Sequence, residues 1–250
     1  MNPAPHRSLL QVALNGARHA AEHPALPVTP EQLAAAAADA IAAGAGAIHF
    51  HVRGPDGGES LAADDLAAAL GGVRAAARGT PVGVSTGARI LGDPTLRFAA
   101  VERWVALPDF ASVNFDETGA ASLARLLRLR GVGVEAGLAT REAAERLVDS
   151  GLGAQCLRVL LEPQEEDAEA ALTSVVGLEA LLDRGGIRRP RLLHGTGATV
   201  WPLIAAAAAR AYDTRIGLED TLTLPDGRAA PGNAALVATA RALVASTAGA

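Results

Sequence analysis

Ala47-Ile48-His49-Phe50-His51-Val52-Arg53 is an apolar run interrupted by two histidines two positions apart. Side chains alternate faces along an extended strand. His49 and His51 therefore share one face, and Ile48, Phe50 and Val52 pack on the other. Two imidazoles on one strand face make half of a metal site. Read alone, the spacing fits equally well two histidines hydrogen-bonded in a polar cleft. The metal reading gains from a second run far along the chain, Arg215-Ile216-Gly217-Leu218-Glu219-Asp220, which also reads as a strand and ends in two carboxylates.

Working outward, strand-like and helix-like segments alternate. Strands are expected at about residues 8–14, around His49 and His51, and at 81–84, 110–115, 132–136, 156–161, 191–193 and 214–218. Helices are expected between them, the first capped by Thr29 with Pro30 at its first position and Gln32 at its third. Further helices are expected at about 64–78, 94–104, 120–129, from Thr140 to 150, and at 168–182, 199–210 and 231–246. Eight strand–helix units in 250 residues predict an α/β fold, a single-domain (β/α)₈ TIM barrel over residues 1–250, rather than an open doubly wound sheet. No GxGxxG follows the first strand, which argues against a dinucleotide fold.

Composition narrows the function. Half the residues are hydrophobic and the net charge is −5, with no basic block, so nucleic acid is not an expected partner. The alanine-rich helices are too short and too often charged to span a bilayer. A lone cysteine, Cys156, excludes an internal disulfide, and no signal-type segment follows the N-terminus; both suit a cytoplasmic protein. All 22 basic residues other than histidine are arginine. Imine chemistry needs a lysine amine and is excluded. Any carbanion made here needs a metal or another group as electron sink.

Active sites of such barrels lie at the C-terminal ends of the strands. Asn15, His49, His51, Ser85, Asn114, Glu135, Glu162, His194 and Glu219 all fall at expected strand ends. Strands two and eight flank strand one, so His49, His51 and Glu219 can converge as a three-ligand site with open positions, as catalytic zinc needs. Asp220, free of the metal, suits a general base; it also suits a cap or a salt bridge to Arg215. Arg215 can hold Asp220 or bind an anionic part of the substrate. Ser85-Thr86-Gly87 offers a hydroxyl and close backbone amides to a carboxylate, or is an ordinary turn. Glu135 lies in an apolar strand and must face the polar mouth or be paired; it is read as a site residue. His194-Gly195-Thr196-Gly197 stands where many barrels bind phosphate, with His194 supporting the site rather than ligating. Cys156 reads as a small core residue, and His6, His19 and His23 as incidental.

These runs resemble the β-keto acid cleavage enzymes, the family of 3-keto-5-aminohexanoate cleavage enzyme. His49-Phe50-His51-Val52-Arg53 with Asp56-Gly57 is similar to its HxHxR…DG segment, and Ser85-Thr86-Gly87 to its STG turn. The stretch from Arg215 to Asp220, with Asp226-Gly227 and Asn233 to Val237, resembles its RxGxED…NxxLV tail. The resemblance implies a zinc-dependent barrel enzyme, commonly a homotetramer. It would condense a β-keto acid with acetyl-CoA and cleave the product to acetoacetate and a new acyl-CoA. It implies zinc on His49, His51 and Glu219, and Asp220 as base oriented by Arg215. Ser85 and the backbone after it would bind the substrate carboxylate, with Asn114 and Glu135 toward its variable end. Arg18 stands near a place where other members carry an acidic residue, and would favour an anionic or neutral tail. Two other readings are weighed: a metal-dependent hydrolase or aldolase-like lyase on the same barrel, and a non-catalytic binding barrel.

Overall fold

The expected segments form, in the expected order, in a computed structural model that describes residues 8–248. The strands are β1 (Leu10–Ala13), β2 (Ala47–Phe50), β3 (Val82–Ser85), β4 (Phe110–Asn114), β5 (Gly133–Leu138), β6 (Arg158–Leu161), β7 (Arg191–Leu193) and β8 (Asp213–Ile216). The helices are α1 (Pro30–Ala42), α2 (Ala63–Ala76), α3 (Pro94–Glu102), α4 (Ala120–Leu129), α5 (Arg141–Asp149), α6 (Ala168–Arg184), α7 (Val200–Ala209) and α8 (Asn233–Ala248). All neighbouring strands pair in parallel, and β1 pairs with both β2 and β8, which closes the (β/α)₈ barrel.

Local chemistry explains the helix starts. Thr29 accepts a hydrogen bond from the Gln32 amide, and the Gln32 side chain accepts from the Thr29 amide, a reciprocal cap with Pro30 behind it. Asp93, Thr140 and Asp167 cap α3, α5 and α6 by accepting from first-turn amides, without the reciprocal bond. Strand alternation then sorts the barrel. Val12, Ile48, Phe50, Val84, Val113, Val134, Val159, Leu161 and Ile216 face outward into one apolar layer beneath the helices.

The inward face is polar and charged. Gln11 on β1 donates to Glu135 on β5 (2.8 Å). These staves stand opposite one another, so the bond crosses the barrel. Arg158 on β6 pairs with Glu135 (3.2 Å) and with Asp213 on β8 (3.5 Å). Burying such a pair is close to neutral for stability, but leaving either partner alone is costly.

Three boundaries differ from the sequence reading in ways that move site residues. β8 stops at Ile216, and Gly217 to Asp220 form a turn in which the Asp220 amide donates to the Gly217 carbonyl (2.9 Å). A Cβ on Gly217 would overlap the Ala13 carbonyl, so only glycine lets this turn lie against β1. β5 runs on to Leu138, which leaves Glu135 in mid-strand. Cys156 precedes β6, buried after the 3₁₀ turn Gly153–Gln155. Among the described residues, no helix is long and apolar enough to cross a membrane.

Candidate metal centre

His49 is the third residue of β2, and His51 lies one residue past its end. Their rings meet edge to face with centroids 5.4 Å apart. Asn15, two residues beyond β1, fixes the backbone of His51 in both directions. Its Oδ1 accepts from the His51 amide (2.8 Å), and its Nδ2 donates to the His51 carbonyl (3.0 Å). From the other side, Asn233 pins the β8 turn. It accepts from the Leu218 amide and donates to the Leu14 carbonyl, both at 2.9 Å.

Held this way, the two strand ends bring Glu219 to the histidines. Its Oε2 lies 3.7 Å from His49 Nε2, and its Oε1 lies 3.4 Å from His51 Nε2. One ligand atom from each of the three residues falls within 4.8 Å of the others, a separation that a single ion can bridge. Glu219 Oε2 is buried and has no hydrogen-bond partner. The donor set is two imidazoles and a carboxylate with an open side to the cavity, so the residues fit a divalent metal.

The electrostatics agree. Burial pushes His49 down to about 3, so its ring is neutral and its nitrogens carry lone pairs. Burial also works against charge on His51, but Glu219 and Glu59 outweigh it and raise His51 above its ordinary value. Glu219, despite burial, is held well below the carboxylate range by Arg215 and the two histidines. The site thus attracts positive charge, which a metal ion satisfies in place of a proton.

Glu59 is a site residue that no motif spacing pointed to. A carboxylate can only accept from His51, so the ring's Nδ1–H donates to Glu59 and the Nε2 lone pair faces Glu219. Burial opposes ionisation of Glu59, but the hydrogen bonds from His51 and Arg89 hold it at about 2. Its only sequence signal is a carboxylate just beyond the Asp56-Gly57-Gly58 turn, which folds back antiparallel so that Glu59 pairs with Arg53.

A cavity of about 350 Å³ opens above these groups at the C-terminal ends of the strands. His49, His51, Ser85, Gly87, Asn114, Glu162, His194, Arg215 and Glu219 all line it. The Ser85 hydroxyl accepts from the Gly87 amide (3.3 Å), which leaves its proton for a guest oxygen.

Four residues are placed differently from the sequence reading. Glu135 lies beneath the cavity rather than at its mouth, fully buried between Gln11 and Arg158, because β5 continues past it. Burial raises it, and Arg158 opposes the rise. The Thr86 hydroxyl turns away and donates to the Ser112 carbonyl (2.6 Å). Arg18 staples the β1 loop to the β8 turn through the Leu218 carbonyl (2.6 Å) and Glu22 (2.9 Å); it does not line the cavity. Asp220 is fully buried behind the wall. Its Oδ1 accepts from Arg215 (2.8 Å) and lies 3.7 Å from His194 Nδ1, while Oδ2 has no partner.

Arg215 also reaches Glu219 Oε1 (3.1 Å). The two carboxylates share this guanidinium yet shift oppositely. Glu219 has the histidines as well. Asp220 is raised by burial and by the charge of Glu219, with Arg215 and His194 opposing.

Of the incidental histidines, His19 caps the 3₁₀ turn Ala20–Glu22, and His23 bonds the Ala230 carbonyl (2.8 Å). His6 lies outside the described residues.

A family model described as beta-keto acid cleavage enzyme matches residues 7–249. Among solved structures, the chain is similar to ObcA in a binary complex with oxaloacetate. The TM-score is 0.68 at 19% identity, over 88% of this chain and 63% of that one. Apo ObcA gives a TM-score of 0.65 at 19% identity over 88% and 61%. The 3-dehydroquinate dehydratase of Geobacillus kaustophilus gives 0.58 at 11% identity over 96% and 90%. At these identities the likeness shows the barrel alone. The chain spans less than two thirds of ObcA. The comparison with curated proteins returned no match.

Proposed function

The chain belongs to the beta-keto acid cleavage enzyme family, and from that membership we propose that residues 1–250 form one metal-dependent, acetyl-CoA-dependent acyltransferase unit. In the proposed reaction, R–CO–CH₂–COO⁻ and acetyl-CoA give acetoacetate and R–CO–CoA. One carbon–carbon bond forms at the thioester carbonyl as the thiolate leaves, and one breaks as that thiolate returns to the original keto carbon. The observation that carries this reading is the convergence of His49, His51 and Glu219 beside a carboxylate cradle.

His49, His51 and Glu219 would hold the ion, and zinc suits two imidazoles and one carboxylate. When bound, the metal supplies a Lewis acid for the keto oxygen. Ser85, through its hydroxyl proton, and the backbone that follows it bind the carboxylate of the keto acid. Asp220, buried beside the cavity, would take the C2 proton on its unpartnered Oδ2, which requires substrate binding to open that oxygen to the cavity. Arg215 grips Oδ1 and so sets the direction in which Oδ2 points. Burial raises Asp220 above the ordinary aspartate value, the direction a general base needs. We further propose a homo-oligomer, a tetramer or dimer, in the cytoplasm.

The test is a panel of β-keto acids with metal-loaded protein, with and without acetyl-CoA, read as acetoacetate and acyl-CoA by mass. Turnover that depends on acetyl-CoA, and that falls by orders of magnitude in Asp220→Asn, is the expected result. Equal turnover without acetyl-CoA would instead identify a hydrolase or lyase.

A further inference from the structure

Across the barrel from the histidines, the wall carries a carboxylate with no guanidinium against it. Glu162 follows β6, the stave opposite β2, and its side chain is 18% exposed to the cavity. Three of the carboxylates around the centre lie against a guanidinium: Glu219 against Arg215, Glu59 against Arg89, Glu117 against Arg97. Glu162 has no guanidinium within 4 Å among the described residues. Its nearest side-chain partner there is the His194 ring, with Nε2 3.4 Å from Oε2, while the charge of Arg215 is felt from farther off. His194 is itself buried, with neither ring nitrogen hydrogen-bonded.

A second acceptor points to the same spot. Asn114 donates its Nδ2 to Glu117 Oε1 (3.0 Å), and Glu117 is anchored by Arg97, so the orientation of the amide is settled. The Asn114 Oδ1 therefore faces the other way, over Gly137. A Cβ built on Gly137 would overlap both Glu162 Oε1 and Asn114 Oδ1. Two acceptor oxygens thus converge above a residue without a side chain, inside the cavity. Acceptors so placed and short of donors call for a donor from the guest.

We propose that Glu162 and Asn114 form the subsite for the far end of the keto acid and select a tail carrying a hydrogen-bond donor, an ammonium or a hydroxyl, over an alkyl or carboxylate tail. The inference rests on the reaction proposed above and names its substrate class. It departs from the anionic or neutral tail expected from Arg18, whose guanidinium is engaged elsewhere, by excluding the anionic one.

The experiment uses β-keto acids of one backbone length ending in ammonium, hydroxyl, methyl or carboxylate. Metal-loaded wild type, Glu162→Gln and Gly137→Ala are assayed for kcat/KM with acetyl-CoA. In parallel, calorimetry measures binding of the corresponding β-hydroxy acids, which cannot be cleaved as the keto acids are. Wild type is expected to favour the donor-bearing tails about tenfold or more, in both turnover and binding. Glu162→Gln keeps an acceptor but loses the charge, so the ammonium-over-methyl ratio falls about tenfold and the hydroxyl-over-methyl ratio falls less. Gly137→Ala fills the cradle and removes both preferences. If the binding order appears and responds to the substitutions but no acid turns over, the subsite stands and the reaction falls. Turnover with no tail preference, or with a preference for methyl or carboxylate, overturns the subsite and leaves the reaction standing. A preference that survives both substitutions overturns it as well.

Discussion

Glu59 accepts the Nδ1–H of His51, and that contact decides which ring nitrogen faces Glu219. Removing the acceptor frees the tautomer and the ring. Glu59→Ala is expected to weaken metal binding by about 10- to 100-fold, read by competition with a chelator. An unchanged affinity would show that the ring is oriented by its backbone alone. Cys156 makes a separate, pH-dependent prediction. Burial pushes its thiol up to about 11 from an ordinary value of 9. Between those values the unfolded chain releases the proton and the native chain keeps it. The stability from this group is therefore complete below pH 9 and is lost as pH rises toward 11. Cys156→Ala should flatten that part of the stability–pH curve, followed by urea unfolding. In the native protein at pH 8, a thiol reagent should not react before unfolding.

The turn after β8 carries the carboxylates, and α8 holds it through its first residue. Asn233 clips Leu218 and Leu14 together, so one side chain joins the starts of two loops. Asn233→Ala leaves a buried amide and a buried carbonyl without partners. The expected cost is about 1–3 kcal/mol per group, seen as a lower urea midpoint at unchanged slope. Metal affinity should fall with it, since Glu219 follows directly. A loss of stability with no loss of affinity would show that the turn keeps its shape without this clip.

Closing the ring requires the end of β8 to lie against β1, and Gly217 is where they touch. The atom that a Cβ would meet is a backbone carbonyl, which cannot move aside as a side chain can. Gly217→Ala is therefore expected to lower the yield of folded protein sharply, or to give a folded barrel that no longer binds metal. Melting temperature and metal content after purification check this. A variant with both values intact would mean that the ring has slack at this seam. The charged interior places a similar demand on pairing. Glu135→Ala would leave Arg158 only its longer contact to Asp213 and the Gln11 amide without its acceptor, and should cost about 3 kcal/mol, more than the pair itself contributes.

The order of strands and helices, the cap at Thr29 and the pairing of the HxH run with the Glu-Asp run were legible in residue types and spacing, because alternation and capping are local. The convergence of His49, His51 and Glu219 followed from one topological rule, that first and last staves of a closed barrel are neighbours. Glu135, Arg18, Thr86 and Glu59 were not legible in the same way. Whether a carboxylate faces the mouth or the barrel centre turns on where its strand ends. Whether an arginine is free or engaged turns on which carbonyl lies within reach across 200 residues of chain, as Leu218 lies near Arg18. Local chemistry thus gave the ligand types and the barrel. Long-range packing chose the partners, because a buried polar group takes whichever complement the closed ring brings to it.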